Sequence, residues 1–221
     1  DADKLIEQGK VLVNGQVAGM GQQVEETDTV QVGKKILQGK QTQKVLAFYK
    51  PVGVTCTERD PHAEKKIMDM IRYPERLTYA GRLDKDSEGL ILLTNDGDLI
   101  NAMMRGGNRH EKEYIVKTDR EITPDFLEKM AKGIYLKDLD ITTRECEIEQ
   151  IGKFTFRIVL TQGVNRQIRR MCEACGYRVK ALKRIRIMNV LLGDLKPGKW
   201  REVTGEELEQ LQRDTGMLNR N

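Results

Sequence analysis

Leu90-Ile91-Leu92-Leu93 is an uninterrupted aliphatic run, and the segment leading into it, Gly81-Arg82-Leu83-Asp84-Lys85-Asp86-Ser87-Glu88-Gly89, holds three carboxylates and two bases in a glycine-bracketed loop. A short apolar run bounded by turn residues reads as a buried strand, here Gly89 to Thr94. The chain must therefore fold so that a charge-dense loop stands at the end of a core element. Such density marks a site. A solvated charged turn is the plain alternative. A calcium loop is the other: Asp84, Asp86, Glu88 and Gly89 match positions 1, 3, 5 and 6 of the EF-hand pattern. Position 12 would then be Asn95, which lacks the bidentate carboxylate, and Leu90 to Thr94 reads as strand where the pattern wants loop. Asp84 lies instead between Arg82 and Lys85. A neighbouring cation favours an ionised carboxylate, the form that attacks.

Cations gather a second time further along. Between Thr161 and Val190 stand Arg166, Arg169, Arg170, Arg178, Lys180, Lys183, Arg184 and Arg186 against the single acid Glu173, while the whole chain of 221 residues carries only +4. Concentrated basicity on a near-neutral chain is the footprint of a polyanion binder. The four cysteines are too few for a disulfide scaffold and fit a reducing, cytoplasmic setting. Apolar runs fall short of a bilayer span and no signal-peptide pattern opens the chain, so no membrane partner is expected. A monomer is the default.

The pattern of elements is that of an α+β fold, because strands and helices mix without a strict βαβ rhythm. Ala2 to Gln8 has helical spacing; Lys10 to Val17 reads as two short strands about an Asn-Gly turn; Thr29 to Val32 is another strand. Gly33 to Lys44 reads as a linker, giving domains at 1–40 and 41–221. Strands are expected at Val45 to Lys50, Tyr114 to Val116, Phe154 to Leu160 and along Arg178 to Val190. Helices are expected at His62 to Arg72, Asp98 to Arg105, Pro124 to Lys132 with Gly133 as its cap, and Asn165 to Cys175. Thr204 and Glu207 form a capping-box pattern before a last amphipathic helix.

Other chemistry-bearing residues have plainer roles. Cys172 and Cys175 fall on the apolar face of their helix, where core packing is expected rather than zinc or redox chemistry. His62 and His110 lack acid-base or ligand partners, so no metal site is expected. Met103 and Met104 are expected in the core, and Trp200 is either a core anchor or a stacking surface.

Four stretches together carry a resemblance. They are Tyr49-Lys50-Pro51-Val52-Gly53, Gly81-Arg82-Leu83-Asp84 followed by Ser87 and Gly89-Leu90, Lys112-Glu113-Tyr114, and Gly163-Val164-Asn165-Arg166-Gln167-Ile168-Arg169-Arg170-Met171. In this order they resemble pseudouridine synthases of the RsuA-type ribosomal RNA branch, nearest its large-subunit (23S) enzymes, and Ala2 to Val32 resembles the later part of an S4-type RNA-binding domain. The resemblance implies a largely antiparallel mixed-sheet catalytic domain preceded by a partial S4 module. It implies isomerisation of uridine in ribosomal RNA, or in transfer RNA instead or in addition, without a cofactor. A non-catalytic RNA-binding assembly factor is the rival reading. By the same resemblance Asp84 is the nucleophile, attacking base or sugar carbon, Tyr114 packs on the target base, and Arg169 pairs with Asp84. Ile168 lines the pocket, and Arg82, Lys112, Asn165, Arg166, Arg170, Lys183 and Arg184 are expected at the RNA. The target nucleotide flips out of its stack to reach them.

Overall fold

The computed structural model describes residues 2–25, 27–38, 43–57, 65–105 and 109–218. They form two compact units, Asp1–Gln43 and Lys44–Asn221. The first unit contains α1 (Ala2–Glu7), β1 (Val11–Val13), β2 (Gln16–Val17), β3 (Val30–Val32) and β4 (Lys35–Gln38). Its sheet runs β2-β1-β3-β4, and Val11, Val13 and Ala18 with Leu5, Ile6, Val30 and Val32 make a small core. Asn14 and Gly15 take positive φ (51° and 81°) at the β1–β2 turn, the conformation that a tight hairpin requires. The linker reading of Gly33 to Lys44 is corrected. Its polar residues hide a strand, β4, whose backbone pairs with β3 in antiparallel register, so hydrogen bonding rather than apolar content builds it.

The second unit contains, in order, β5 (Val45–Lys50), α2 (Ile67–Met70), β6 (Thr78–Ala80), β7 (Glu88–Thr94), α3 (Gly97–Met104), β8 (Lys112–Thr118), α4 (Pro124–Lys132), β9 (Tyr135–Leu136) and β10 (Ile141–Thr142). β11 (Glu147–Gly152), β12 (Thr155–Leu160), α5 (Gln167–Ala174), β13 (Val179–Ile187), β14 (Val190–Leu191), β15 (Trp200–Glu202) and α6 (Gly205–Asp214) follow. Its main sheet has the order β11-β12-β8-β13-β7-β5-β15. Neighbours are antiparallel except β13 and β7, which run parallel through Lys183–Glu88 and Arg184–Gly89.

Both faces of the central strands are covered, which is why they carry unbroken apolar runs. Val45, Ala47, Tyr49, Leu90 and Leu92 pack on one side with Leu99, Met103 and Leu211. Leu46, Phe48, Ile91 and Leu93 pack on the other with Val54, Ile67 and Leu77. A third cluster joins β8 and β12 to α4 and α5 through Val116, Phe126, Met130, Phe156, Ile168, Met171 and Cys172. Helix α4 begins with Thr123 accepting from the Phe126 amide at 3.2 Å and places Phe126 against Phe156 and Tyr177, with ring centroids 5.4 and 4.1 Å apart. Phe126→Ala is expected to lower unfolding free energy by about 3–5 kcal/mol, read as a shifted urea midpoint at constant m-value.

Three local expectations are corrected. The helix expected at His62 to Arg72 is one turn, Ile67–Met70, within the described residues; His62 lies outside them. The Thr55 amide bonds Lys65 O at 3.0 Å and the Ile67 amide bonds Thr55 O at 3.3 Å, so the backbone that would start a longer helix is engaged elsewhere, and Ile71 is extended (φ −113°, ψ 109°). The capping box at Thr204 does not form: Glu207 accepts both Arg201 Nη atoms at 2.6 and 2.8 Å, although α6 still starts at Gly205. Met103 is buried, but Met104 is 54% exposed because it is the last residue of α3 and turns off the core face.

Candidate active site

The loop between β6 and β7 carries Asp84, and the surrounding chain grips its backbone. Three cationic side chains do most of this. Lys50, fully buried, donates to Ser87 O at 2.7 Å and Pro51 O at 2.9 Å. Arg184, 2% exposed, donates to Leu90 O at 2.7 Å and Arg82 O at 3.3 Å. Arg169 donates to Asp86 O at 3.0 Å and Ser87 Oγ at 3.1 Å. The Gly53 amide adds a bond to Lys85 O at 2.7 Å. Carbonyl oxygens of residues 82, 86, 87 and 90 are thus satisfied by fixed cations, and the loop is held without using the Asp84 carboxylate.

Asp84 faces a cavity of about 400 Å³ lined by Arg82, Tyr114, Ile168, Lys112 and Arg184 among others. That is the size range of a small-ligand site. Tyr114 comes from the middle of β8, where it packs against two of the three core clusters; Ile168 is a buried first-turn residue of α5. The cavity also takes in Asn165, Arg166 and Arg169. Most of the residues expected from the sequence are therefore brought to one place from four separate segments.

The ion pairs differ from expectation. Arg169 does not pair with Asp84: its Nη2 lies 3.4 Å from Asp86 Oδ2, and Arg166 Nη1 is the cation at Asp84, 3.5 Å from Oδ2. Arg166 sits at the N-cap of α5 with left-handed φ and ψ (50°, 33°), and this turn aims its guanidinium back at the loop. It clamps Asp86 with two bonds of 3.1 and 2.9 Å. That clamp and the Arg169 charge hold the Asp86 carboxyl below the usual range despite partial burial. A depressed folded pKa contributes stability that is present above the unfolded value, about 3.9, and is lost as pH falls through the folded value. Asp86→Asn should flatten the acid limb of thermal stability below about pH 4, checked by melting curves of both proteins from neutral to strongly acidic buffer.

Other expected RNA contacts are already occupied. Arg170 pairs with Asp138 and donates to Asn165 O at 2.9 Å, fastening the start of α5. Lys183 lies over the Tyr49 ring at 5.2 Å, whose hydroxyl donates to Glu88 at 2.8 Å. Arg184 is buried rather than presented at a surface. Arg186 bonds Glu113 and Glu111 at 2.6 and 3.0 Å. Four of the eight cations of the basic segment, Arg166, Arg169, Arg170 and Arg186, are thus met by acids from elsewhere in the chain, while Arg178 and Lys180 stay exposed.

Cys172 is buried and Cys175 half-buried in α5, and none of the four cysteines is in a disulfide. His110 Nε2 lies 3.2 Å from Ala102 O. Trp200 is 37% exposed and packs edge-to-face on Tyr73 at 5.5 Å, an anchored surface residue. Sequence reasoning placed Asp86 and Ser87 in the loop and Lys50 in a matching stretch, but gave none of the three a role in the site. A lysine ending the apolar strand Val45 to Lys50 was the available signal.

The RNA pseudouridylate synthase family model matches residues 44–174, the stretch that supplies all of this cavity's lining but Leu182 and Arg184, and the S4 domain model matches residues 1–30. The chain belongs to the RNA pseudouridylate synthase family. It is 45% identical over 213 residues to the Escherichia coli K12 protein named dual-specificity RNA pseudouridine synthase RluF, covering 96% of this chain and 72% of that one. An Aquifex aeolicus protein named as an uncharacterized RNA pseudouridine synthase is 34% identical, covering 96% and 90%. Among solved structures, one titled crystal structure of pseudouridylate synthase superposes with a TM-score of 0.73 at 28% identity, covering 95% of this chain and 92% of that one. The mixed sheet is thus the pseudouridine synthase fold, and the enzyme class is RNA pseudouridine synthase. No helix among the described residues is long and apolar enough to cross a membrane.

Proposed function

We propose that this RNA pseudouridine synthase converts a specific uridine of ribosomal RNA, in the 23S molecule, to pseudouridine, with Asp84 as its nucleophile. The observation that carries the reading is the placement of the Asp84 carboxylate, 33% exposed, at a cavity walled by Tyr114 and Ile168. Isomerisation breaks the N1–C1′ bond, turns the uracil and joins C5 to C1′. A carboxylate supplies the attack, and an aromatic wall with an aliphatic one keeps the detached base from leaving. Arg166 is the cation beside Asp84, and Arg169 holds the loop that carries it. Arg82, exposed at the cavity mouth, is the phosphate contact; its guanidinium makes no ion pair among the described residues. Because the reacting atoms are hidden in stacked RNA, the uridine flips into the cavity, an unstacking cost of about a few kcal/mol offset by these contacts.

The dual specificity in the names of the E. coli relatives supports a second RNA substrate, and transfer RNA is the one we propose. The S4-like unit adds RNA affinity. Four unpaired cysteines favour the cytoplasm, a reducing compartment. The test incubates the protein with unmodified ribosomal RNA, ribosomal particles and transfer RNA, then maps pseudouridine by carbodiimide labelling and primer extension. A new stop on 23S RNA that Asp84→Asn cannot produce is the expected result. No stop on any of the three would sink the reading and leave a non-catalytic RNA-binding assembly factor.

A further inference from the structure

Charge is distributed unevenly with depth in the Asp84 cavity. Its lining includes five cations, Arg82, Lys112, Arg166, Arg169 and Arg184, against Asp84 as the one carboxylate. Arg82 and Arg166 are exposed at the rim. Arg166 and Arg169 are committed to the acids of the loop. Lys112 and Arg184 are different. Arg184 is 2% exposed and meets only carbonyls, with no carboxylate partner, and its Nη2, like Arg169 Nε, is a buried donor without a partner. Such orphans are rare in folded proteins and costly to keep. The Lys112 ammonium makes no hydrogen bond or ion pair among the described residues, its strand pairing being through the backbone alone. Its ammonium is disfavoured by burial first and by the Arg184 charge second. Arg184 stands opposite Tyr114 in the β13–β8 register, and Lys112 is two residues from Tyr114 on the same face of β8. Two uncompensated cations therefore flank the proposed base-stacking wall.

We infer that Lys112 and Arg184 form a cationic floor that holds the detached uracil as its anion during isomerisation. This rests on the Asp84 reading above. Depth decides between base and phosphate: a flipped nucleotide puts its base deepest and leaves its phosphates along the surface, where Arg82 lies. In the step assigned here, an Asp84 oxygen bonds C1′ as the N1–C1′ bond breaks, and that electron pair stays on the ring, spread over N1, O2 and O4. The base turns beside the two cations. C5 then bonds C1′, the ester C–O bond breaks to return the carboxylate, and the C5 proton passes to N1, so the net change is isomerisation alone. Fixed donors aimed at charge that develops during reaction act on turnover rather than on ground-state binding.

The test measures single-turnover rates and RNA affinity of Lys112→Met on ribosomal RNA containing uridine or 5-fluorouridine. Removal of one such donor lowers turnover by about 10²–10³-fold, with RNA affinity unchanged. Fluorine withdraws electrons and stabilises the departing anion by itself, so loss of the N1–C1′ bond in the fluorinated RNA should suffer a deficit several-fold smaller. Lys112→Arg should restore part of the rate. Equal deficits on the two RNAs, or unchanged turnover on uridine, would overturn the proposal. A second measurement needs no variant: barbiturate, an anionic pyrimidine of uracil's shape, should inhibit the unmutated protein more strongly than neutral uracil. Inhibition by inorganic phosphate but not barbiturate would make the floor a phosphate site and overturn it as well. Turnover by Asp84→Asn would instead show that the nucleophile assignment had failed, separately from the floor.

Discussion

Asp84→Asn should lower single-turnover pseudouridine formation by about 10⁴-fold or more, the scale seen when a nucleophile is removed, while RNA affinity stays within a few-fold. The amide matches the carboxylate in shape but cannot attack. The loop's support does not run through the lost charge: the contacts from Lys50, Arg169 and Arg184 go to backbone oxygens or Ser87 Oγ, and the Ser87 amide bonds the backbone oxygen of Asp84 at 3.1 Å. The 3.5 Å approach of Arg166 is weakened, as is one of the charges that favour the Lys50 ammonium, but Arg166 keeps its two bonds to Asp86. Rate and affinity are measured in parallel on one ribosomal RNA transcript. A rate within tenfold of the unmutated protein would show that the carboxylate is not the nucleophile.

Gly89→Ala should be the most damaging single methyl in the second unit. Gly89 has φ +112°, and a Cβ there would lie 2.2 Å from Arg184 O and 2.6 Å from Arg184 N. Both obstacles are main-chain atoms of the neighbouring strand. An L side chain is strained at this φ wherever it points, and the clash forces β7 and β13 apart at their parallel contact. Together these cost about 3 kcal/mol or more, a fall in Tm of roughly 6–12 °C for a domain of this size. Turnover should fall further than stability alone explains, because Arg184 also fixes the carbonyls of Arg82 and Leu90. Calorimetry with activity at a temperature where both proteins are folded separates the two effects. An unchanged Tm would show that the strands yield at this point without loss.

Elements whose signals are local were legible in the sequence. Pro124 to Lys132 begins with proline in its first turn and ends at glycine, and the helix observed has those bounds. Val45 to Lys50 is a strand over the same six residues expected. Local signals failed where backbone partners are remote. The polar strand Lys35–Gln38 exists through its pairing with β3, and the segment before Ile67 is drawn to Thr55 instead of coiling. At the site, charge density singled out the loop that carries Asp84, while the family resemblance supplied the role of Asp84 and with it Tyr114, Ile168 and an arginine in α5. It named Arg169 where the geometry offers Arg166, because the left-handed turn at residue 166 leaves no periodic trace. The cations of Thr161 to Val190 were visible, but the acids that meet them, Asp86, Glu111, Glu113 and Asp138, come from three other places in the chain.

The parallel contact between β7 and β13 bears on when the catalytic loop is fixed during folding. Every other pairing in the main sheet is antiparallel, and hairpins such as β11–β12 join segments close in the chain. The seam at Gly89 and Arg184 instead closes a loop of more than ninety residues, and contacts of such long range form slowly because the entropy of closure comes before the gain. Arg169 and Arg184, which pin the Asp84 loop, reach it across 83 and 94 residues. A nascent chain can therefore build much of its two half-sheets early, yet its catalytic carboxylate is fixed in place only after β13 has left the ribosome and docked. Slow refolding steps should accordingly appear as a lag in regained activity behind regained secondary structure.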